Sequence, residues 1–325
     1  MMSKSLGKKE RGWLEFKFPP TGEAIRFPVG TVHGVEDGPT LVVLGGMHGS
    51  EFCGIEAAIR LLREVEPEQL KGTLKVVNIY NLPAFRNNLG FVVPQDGINP
   101  GRTFPGDPEG SYSAVMADCI TQNVLRSADY YVELHGGDIP EALVPFVIHP
   151  ITGSDEVDAK SRELAMVYNI PLVVSAKLGE MPKPLHTSGF IAMALEGIPS
   201  ILAESGQQGI LNLEDAERHL VGLRNILIHL GMRQGQIVDS VERRFSEEHK
   251  AIRSEIDALW YPAVSLGSMA KAGDVLGQYR DYFGDPLGEV KAIFDGHVTV
   301  IRTSPNVAPG NVVIELDRIT DPDAG

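Results

Sequence analysis

"LVVLGGMHGSEFCGIEAAIRLL", residues 41–62, decides how this chain folds. Leu41–Leu44 form a continuous apolar run, as expected for a parallel strand buried on both faces. Gly45 and Gly46 stop the run and Gly49 follows, so the backbone can turn tightly. From Ile55 to Val65 apolar residues recur at helical spacing. "LKVVNIYNLP" (74–83) then reads as a second buried strand ending at Pro83, which completes a strand–helix–strand unit of a parallel α/β sheet. Between the first strand and its helix stand His48 and Glu51. Residues three apart share a side where the chain turns into a helix, so both side chains can face one ion.

The rest of the first 240 residues repeats this grammar. "WLEFKF" (13–18) and "AIRFPVGTVHG" (24–34) read as short strands, and "EDGPT" (36–40) as a turn. Residues 112–127, 154–169 and 213–231 carry helical patterns. "DYYVELHGG" (129–137) is a buried strand ending at His135, and "LVPFVIHP" (143–150) is a further strand candidate. "GFIAMALEGIPSILAESGQQG" (189–209) reads as helix, tight turn, strand and Gly/Gln loop. From Pro83 to Ser111 no period survives, and a loop of that length in a compact domain is usually functional or disordered. After residue 240 the texture changes. Residues 262–316 hold short apolar pieces with turn signals at roughly ten-residue spacing, the mark of a small all-β unit. The expected division is an α/β catalytic domain over 1–244 and a β-domain over 245–325.

Composition excludes several classes. The 29 Lys and Arg against 43 Asp and Glu leave a net charge of −14, which repels nucleic acid and acidic membrane surfaces overall. A few local arginines can still hold a small anionic substrate. With 43% apolar residues, the chain has no apolar run near the ~18 residues of a membrane helix. No apolar segment backs the basic start "MMSKSLGKKERGWLEF", so no secretory signal is expected. Cys53 and Cys119 are the only cysteines, so nothing suggests a disulfide framework and the cytoplasm is the expected compartment.

Three separate strands thus end in groups suited to metal or acid–base chemistry: His48 with Glu51, His135, and Glu204. In parallel α/β sheets ligands bind beyond the carboxyl ends of the strands, so these ends can converge. Two His and one Glu suit a catalytic zinc, one per subunit, with a fourth position for a water whose pKa falls to about 7. Glu204 is then the candidate base that takes a proton from that water and hands it to a leaving amine. Each residue has a plainer reading. His-x-x-Glu occurs often by chance, a lone strand-end His is commonly a hydrogen-bonded turn residue, and Glu204 alone could pair with an arginine. The joint pattern favours the metal.

On "GGMHGSE" (45–51), "NPGRTFPGD" (99–107), "ELHGG" (133–137) and "AESGQQG" (203–209), the chain resembles the succinylglutamate desuccinylase/aspartoacylase family, within the zinc carboxypeptidase-like superfamily. The resemblance implies a mixed, mostly parallel sheet flanked by helices, followed by a smaller barrel-sandwich-like β-domain. It implies a zinc-dependent amide hydrolase that deacylates a small N-acyl amino acid, with no nucleic-acid or membrane partner, and a homo-oligomer is open. By position His48, Glu51 and His135 match the zinc ligands and Glu204 the catalytic glutamate. Arg102 matches the arginine that grips a substrate carboxylate, a task suited to a planar bidentate donor.

The chain also departs from that pattern. The family's Asn-Leu-Asn-Arg or Asp-Leu-Asn-Arg is here Asn99-Pro100-Gly101-Arg102, so the carboxylate-binding Asn is absent and Asn99 is only a candidate substrate contact. The family's carbonyl-polarising arginine is expected in "AFRNNLGF" (84–91), where Leu89 or Gly90 occupies its place and Arg86 is the nearest arginine. His149 and His186 are further candidates for the pocket lining, Asp138 is either a substrate contact or a surface charge, and Glu141 reads as surface. "AKAGDVLG" (270–277) and "VKAIFDGHV" (290–298) resemble a biotinyl or lipoyl carrier, but Lys291 lacks the flanking motif of a modified lysine. Two other functions stay open: a zinc carboxypeptidase that trims peptides, and a non-catalytic binding protein.

Overall fold

The computed structural model describes residues 6–178 and 187–320; His186 lies outside them. The strand β1 (Lys8–Lys17) forms a hairpin with β2 (Ala24–His33). The opening stretch folds as β3 (Glu36–Leu44), α1 (Phe52–Glu64) and β4 (Lys71–Val77), with β3 and β4 parallel. Gly46 makes the turn out of β3 with φ +67°, a conformation that side chains with a Cβ rarely adopt. Residues 36–40 are not a turn. They belong to β3, whose register against β4 slips between Glu36 and Thr40 as a bulge where Gly38 packs on the backbone of Gly72.

The long irregular segment opens with a helix, α2 (Leu82–Asn87). Asn81 caps it, its side chain accepting from Ala84 N, and Pro83 sits in the first turn where no N–H is needed. Pro83 therefore starts a helix rather than ending a strand. Next come α3 (Tyr112–Asn123), β5 (Tyr130–His135), β6 (Glu141–Leu143), β7 (Phe146–Ile151), α4 (Asp155–Val167), β8 (Leu172–Lys177), α5 (Gly189–Leu195), β9 (Ser200–Glu204) and α6 (Leu213–His229). The strand β8 has no counterpart in the sequence reading, because Leu172-Val173-Val174 is too short a run to separate from the preceding helix.

The remainder is β10 (Arg244–Arg253), β11 (Ala258–Pro262), β12 (Met269–Ala270), β13 (Val275–Arg280), β14 (Pro286–Lys291), β15 (Gly296–Arg302), β16 (Asn306–Val307) and β17 (Val312–Thr320). One mixed 13-stranded sheet runs β1-β2-β4-β3-β5-β9-β7-β8-β10-β17-β15-β12, with β6 paired to β15. Parallel pairing is confined to the blocks β4-β3-β5-β9 and β7-β8-β10. A separate antiparallel sheet holds β14-β13-β11-β16. The main sheet does not stop at residue 244: Arg244–Ser246 of β10 pairs with β8, which carries the sheet into the C-terminal strands.

Helices cover both faces of the parallel blocks. One core joins Leu61 of α1, Leu164 of α4 and Leu223 of α6 to Val43 and Val132 in the strands. The other joins Met116 and Ile120 of α3 and Phe190 of α5 to Val42 and Tyr131. Successive strand residues point to opposite faces, and both faces are dry, which explains the unbroken apolar runs. The C-terminal strands pack their own core around Trp260, Leu276, Val298 and Leu316. Among the described residues no helix is long and apolar enough to cross a membrane.

Candidate metal centre and active site

The strands β3, β5 and β9 are consecutive neighbours and parallel, so their carboxyl ends open on one edge of the sheet. His135 and Glu204 are the last residues of β5 and β9 and sit directly opposite each other. Paired residues on neighbouring strands project to the same face. His48 and Glu51 arrive at the same edge in the loop after β3. Glu51 is the N-cap residue of α1, yet its side chain makes no capping bond and turns toward the histidines instead.

His48, Glu51 and His135 are all buried, and one ligand atom from each lies within 4.8 Å of the others. Glu51 Oε1 is 2.6 Å from His48 Nδ1, and Oε2 is 3.0 Å from His135 Nδ1. The second approach is close but out of line, so Oε2 has no hydrogen-bond donor. Both imidazoles are committed on their far side. His135 donates from Nε2 to Glu133 Oε1 at 2.9 Å, and His48 from Nε2 to Asn99 Oδ1 at 3.1 Å. A neutral ring that donates from Nε2 presents a lone pair at Nδ1. Two such lone pairs then face one carboxylate, an arrangement that repels itself unless a cation lies among the three. The donor set therefore fits a divalent metal such as zinc. Burial opposes ionised imidazoles, but the Glu51 carboxylate, joined by Asp138 at His48 and by Glu133 and Glu204 at His135, outweighs it and raises both rings above the ordinary histidine range, so the group favours a positive charge among its three side chains, whether a proton or a metal ion.

Glu133 was not singled out in the sequence, although a charged residue in the buried run Tyr-Tyr-Val-Glu-Leu-His was a legible signal. It lies two residues before His135, on the same face of β5, and is wholly buried. Its Oε2 accepts from Tyr131 Oη at 2.9 Å while Oε1 accepts from His135. Such a carboxylate behind a ligating histidine fixes the ring's tautomer and orientation. Glu133→Gln is expected to weaken metal affinity by about 10–100-fold, read by competition with a chromophoric chelator.

The loop after α2 closes the other side. Phe91 sets its ring against His48, centroids 5.4 Å apart, and has φ +56°, an uncommon conformation for a residue with a Cβ. Asp138 holds it there by accepting from Phe91 N at 2.6 Å, and also accepts from Ile139 N and Ser50 Oγ. Asp138 is thus a wholly buried tie between the two loops rather than a surface charge. Gly90 lies against it so closely that any Cβ would strike its carboxylate. That contact leaves no room at residue 90 for an arginine.

The structure brings some of the expected substrate residues to the group and not others. Asn99 Oδ1 is occupied by His48 and by Gly101 N at 2.8 Å, which leaves only its amide nitrogen for a substrate. Arg102 is exposed, donates to the Gly101 carbonyl at 3.1 Å, and is near enough to Glu315 on β17 to influence its charge. Arg86 is exposed on the far side of α2, where it lines a separate cleft of about 200 Å³ with Glu23, Arg26 and Gln95. His149 lies on β7 three residues beyond the rung that pairs Phe146 with Glu204, bonded to Ser175.

Glu204 as a residue is half-buried, but its Oε2 is sealed from solvent with no hydrogen-bond partner among the described residues. Burial pushes its pKa well above the usual carboxylate range; His135 opposes this, and Glu51, Glu141 and Glu315 add to it. Glu141 is not a surface charge. Burial first, then Glu315, Glu51 and Asp138, push its carboxyl up to about 8. The edge of the sheet therefore carries a metal-fitting group beside a carboxyl group poised to hold or release a proton.

A family model described as the succinylglutamate desuccinylase/aspartoacylase catalytic domain matches residues 37–230. An N-alpha-acetyl-L-2,4-diaminobutyric acid deacetylase of Halomonas elongata is 26% identical over 306 residues, covering 92% of this chain and 87% of that protein. Two solved structures share the fold. The ectoine utilization protein EutE of Ruegeria pomeroyi, with product bound, aligns at a TM-score of 0.84 and 24% identity over 97% of both chains. A succinylglutamate desuccinylase/aspartoacylase of Rhodobacter sphaeroides aligns at 0.83 and 22% over 99% of both. With a match that takes in His48, Glu51, His135 and Glu204 and spans more than half of its length, the chain belongs to the succinylglutamate desuccinylase/aspartoacylase family.

Proposed function

We propose that this chain is a zinc-dependent deacylase that hydrolyses the amide bond of a small N-acyl amino acid, with an N-acetylated diamino acid as the first substrate class to test. The observation that carries the reading is the pairing of a buried His-Glu-His group with the unpartnered Glu204 carboxyl at the end of the adjacent strand. The diaminobutyrate deacetylase from Halomonas elongata supports the choice of substrate. On this reading residues 1–244 form the catalytic unit, and residues 245–325 a β-rich unit that contributes Glu315 to the surroundings of Glu204.

His48, Glu51 and His135 would hold the zinc through the imidazole Nδ1 atoms and the Glu51 carboxylate. Zinc bound there would supply Lewis acidity, polarising the amide carbonyl and making a water more acidic. Glu204 takes the proton from the hydrolytic water and passes it to the leaving amine nitrogen. Burial raises the pKa of that carboxyl, and a cation bound nearby would lower it, the opposed influences suited to a group that both takes and returns a proton. Glu133 keeps His135 in register, and Asp138 and Phe91 hold the loop that shields His48 from water. Arg102, exposed at the same edge, meets the substrate's carboxylate as a bidentate donor.

The test is a screen of the zinc-loaded protein against N-acetyl, N-succinyl and N-formyl amino acids and diamino acids, alongside peptides with free carboxyl termini. Release of acetate from an N-acetyl diamino acid is the expected result. Peptide trimming in its place would assign a carboxypeptidase, and absence of both activities together with absence of bound metal would assign a binding protein.

A further inference from the structure

Beside the candidate centre a single histidine bonds to both strand ends that matter. His219 lies on α6 and is wholly buried. Its Nε2 is 2.9 Å from the carbonyl oxygen of His135 and 3.2 Å from that of Ser205. Carbonyls only accept, so Nε2 carries the proton and is shared between the two. Tyr168, also wholly buried, stands with its hydroxyl 2.9 Å from Nδ1 and donates to it, which fixes the tautomer. The same helix holds Ser205 a second time, because Ser205 Oγ donates to Asp215 Oδ1 at 3.2 Å.

These contacts fall at a critical rung. The last pairing of the two strands is His135 with Glu204, and the closing backbone bond runs from Ser205 N to the His135 carbonyl at 3.2 Å. Beyond it both chains leave the sheet through glycines, Gly136 and Gly206. One further backbone bond, from Gly137 N to the Gly206 carbonyl at 2.8 Å, joins the two chains beyond the ladder, and the shared donor from His219 adds a side-chain tie at the rung itself by bonding the carbonyls of His135 and Ser205.

We infer that His219, oriented by Tyr168, is a positioning residue that sets the distance and angle between His135 and Glu204. The inference rests on the deacylase reading only for its kinetic part. A displacement of about 1 Å in a reacting geometry can cost on the order of 100-fold in rate, so a small shift at this rung reaches the chemistry.

The experiment compares the full-length His219→Leu, His219→Gln and Tyr168→Phe variants with the parent, each loaded with cobalt(II) for its visible spectrum and with zinc for kinetics. His219→Leu keeps much of the volume but has no donor, and is expected to lower kcat by about 10–100-fold with KM within about twofold, and to alter the cobalt bands. His219→Gln keeps a donor near the position of Nε2 and is expected to recover most of both losses. Tyr168→Phe removes one hydroxyl and retains the ring; it gives an intermediate loss and tests the idea even if His219→Leu does not fold. Equal losses in His219→Leu and His219→Gln, or an unchanged spectrum and kcat in Tyr168→Phe, would overturn the inference. A parent protein that cleaves no acyl amide would sink the proposed reaction instead, and the cobalt spectra would still decide the positioning role.

Discussion

Glu204→Gln is expected to lower kcat by about 10²–10⁴-fold, or roughly 3–5 kcal/mol of barrier, while the metal stays bound. The substitution is nearly isosteric and removes only the ability to take and return a proton. Glu204 is not one of the three grouped ligands, so metal content by atomic emission should match the parent. Among the described residues its Oε2 accepts no hydrogen bond, so the amide disrupts none of their bonds at that atom. Activity within a few-fold of the parent would remove Glu204 from the mechanism. Loss of the metal together with activity would instead make Glu204 a ligand.

Glu51→Ala is expected to reduce bound metal from one per chain to near zero and activity to background. Its carboxylate faces both histidines, at 2.6 Å and 3.0 Å, so one substitution breaks two sides of the group. It also removes the largest of the contributions that raise both imidazoles against the effect of burial. Differential scanning calorimetry separates a lost site from a lost fold. At a free zinc concentration 100 times its Kd the parent gains about 2.7 kcal/mol of stability, and the variant should gain none while its metal-free melting stays close to the parent's. A full complement of zinc in Glu51→Ala would refute the ligand set.

Much of the fold was legible because it depends on local rules. The apolar run 41–44, the glycine turn and the helical spacing after residue 55 specify β3 and α1 from hydrophobic period and backbone freedom alone. Residues 36–40 misled because Asp, Gly and Pro signal a turn locally, whereas a bulge against Gly72 absorbs them within the strand. Pro83 misled because its two uses, ending a strand and opening a helix, look alike until Asn81 is seen to cap. The continuation of the sheet through β10 was not legible either, since pairing with β8 is a long-range choice that no local pattern encodes.

The candidate site divides in the same way. His48 with Glu51, His135 and Glu204 stood out as strand-end residues, and the sequence by itself determined that such residues were available and in what order. It could not determine that β3, β5 and β9 are neighbours, which is what gathers the four at one edge. Nor could it assign partners: Asn99 to His48, Asp138 to Ser50, and His219 to the carbonyl of His135. The reason is physical. Period, propensity and turn chemistry act over a few residues and are written in the chain, whereas a hydrogen bond between residues 51 to 88 positions apart exists only after the core has packed.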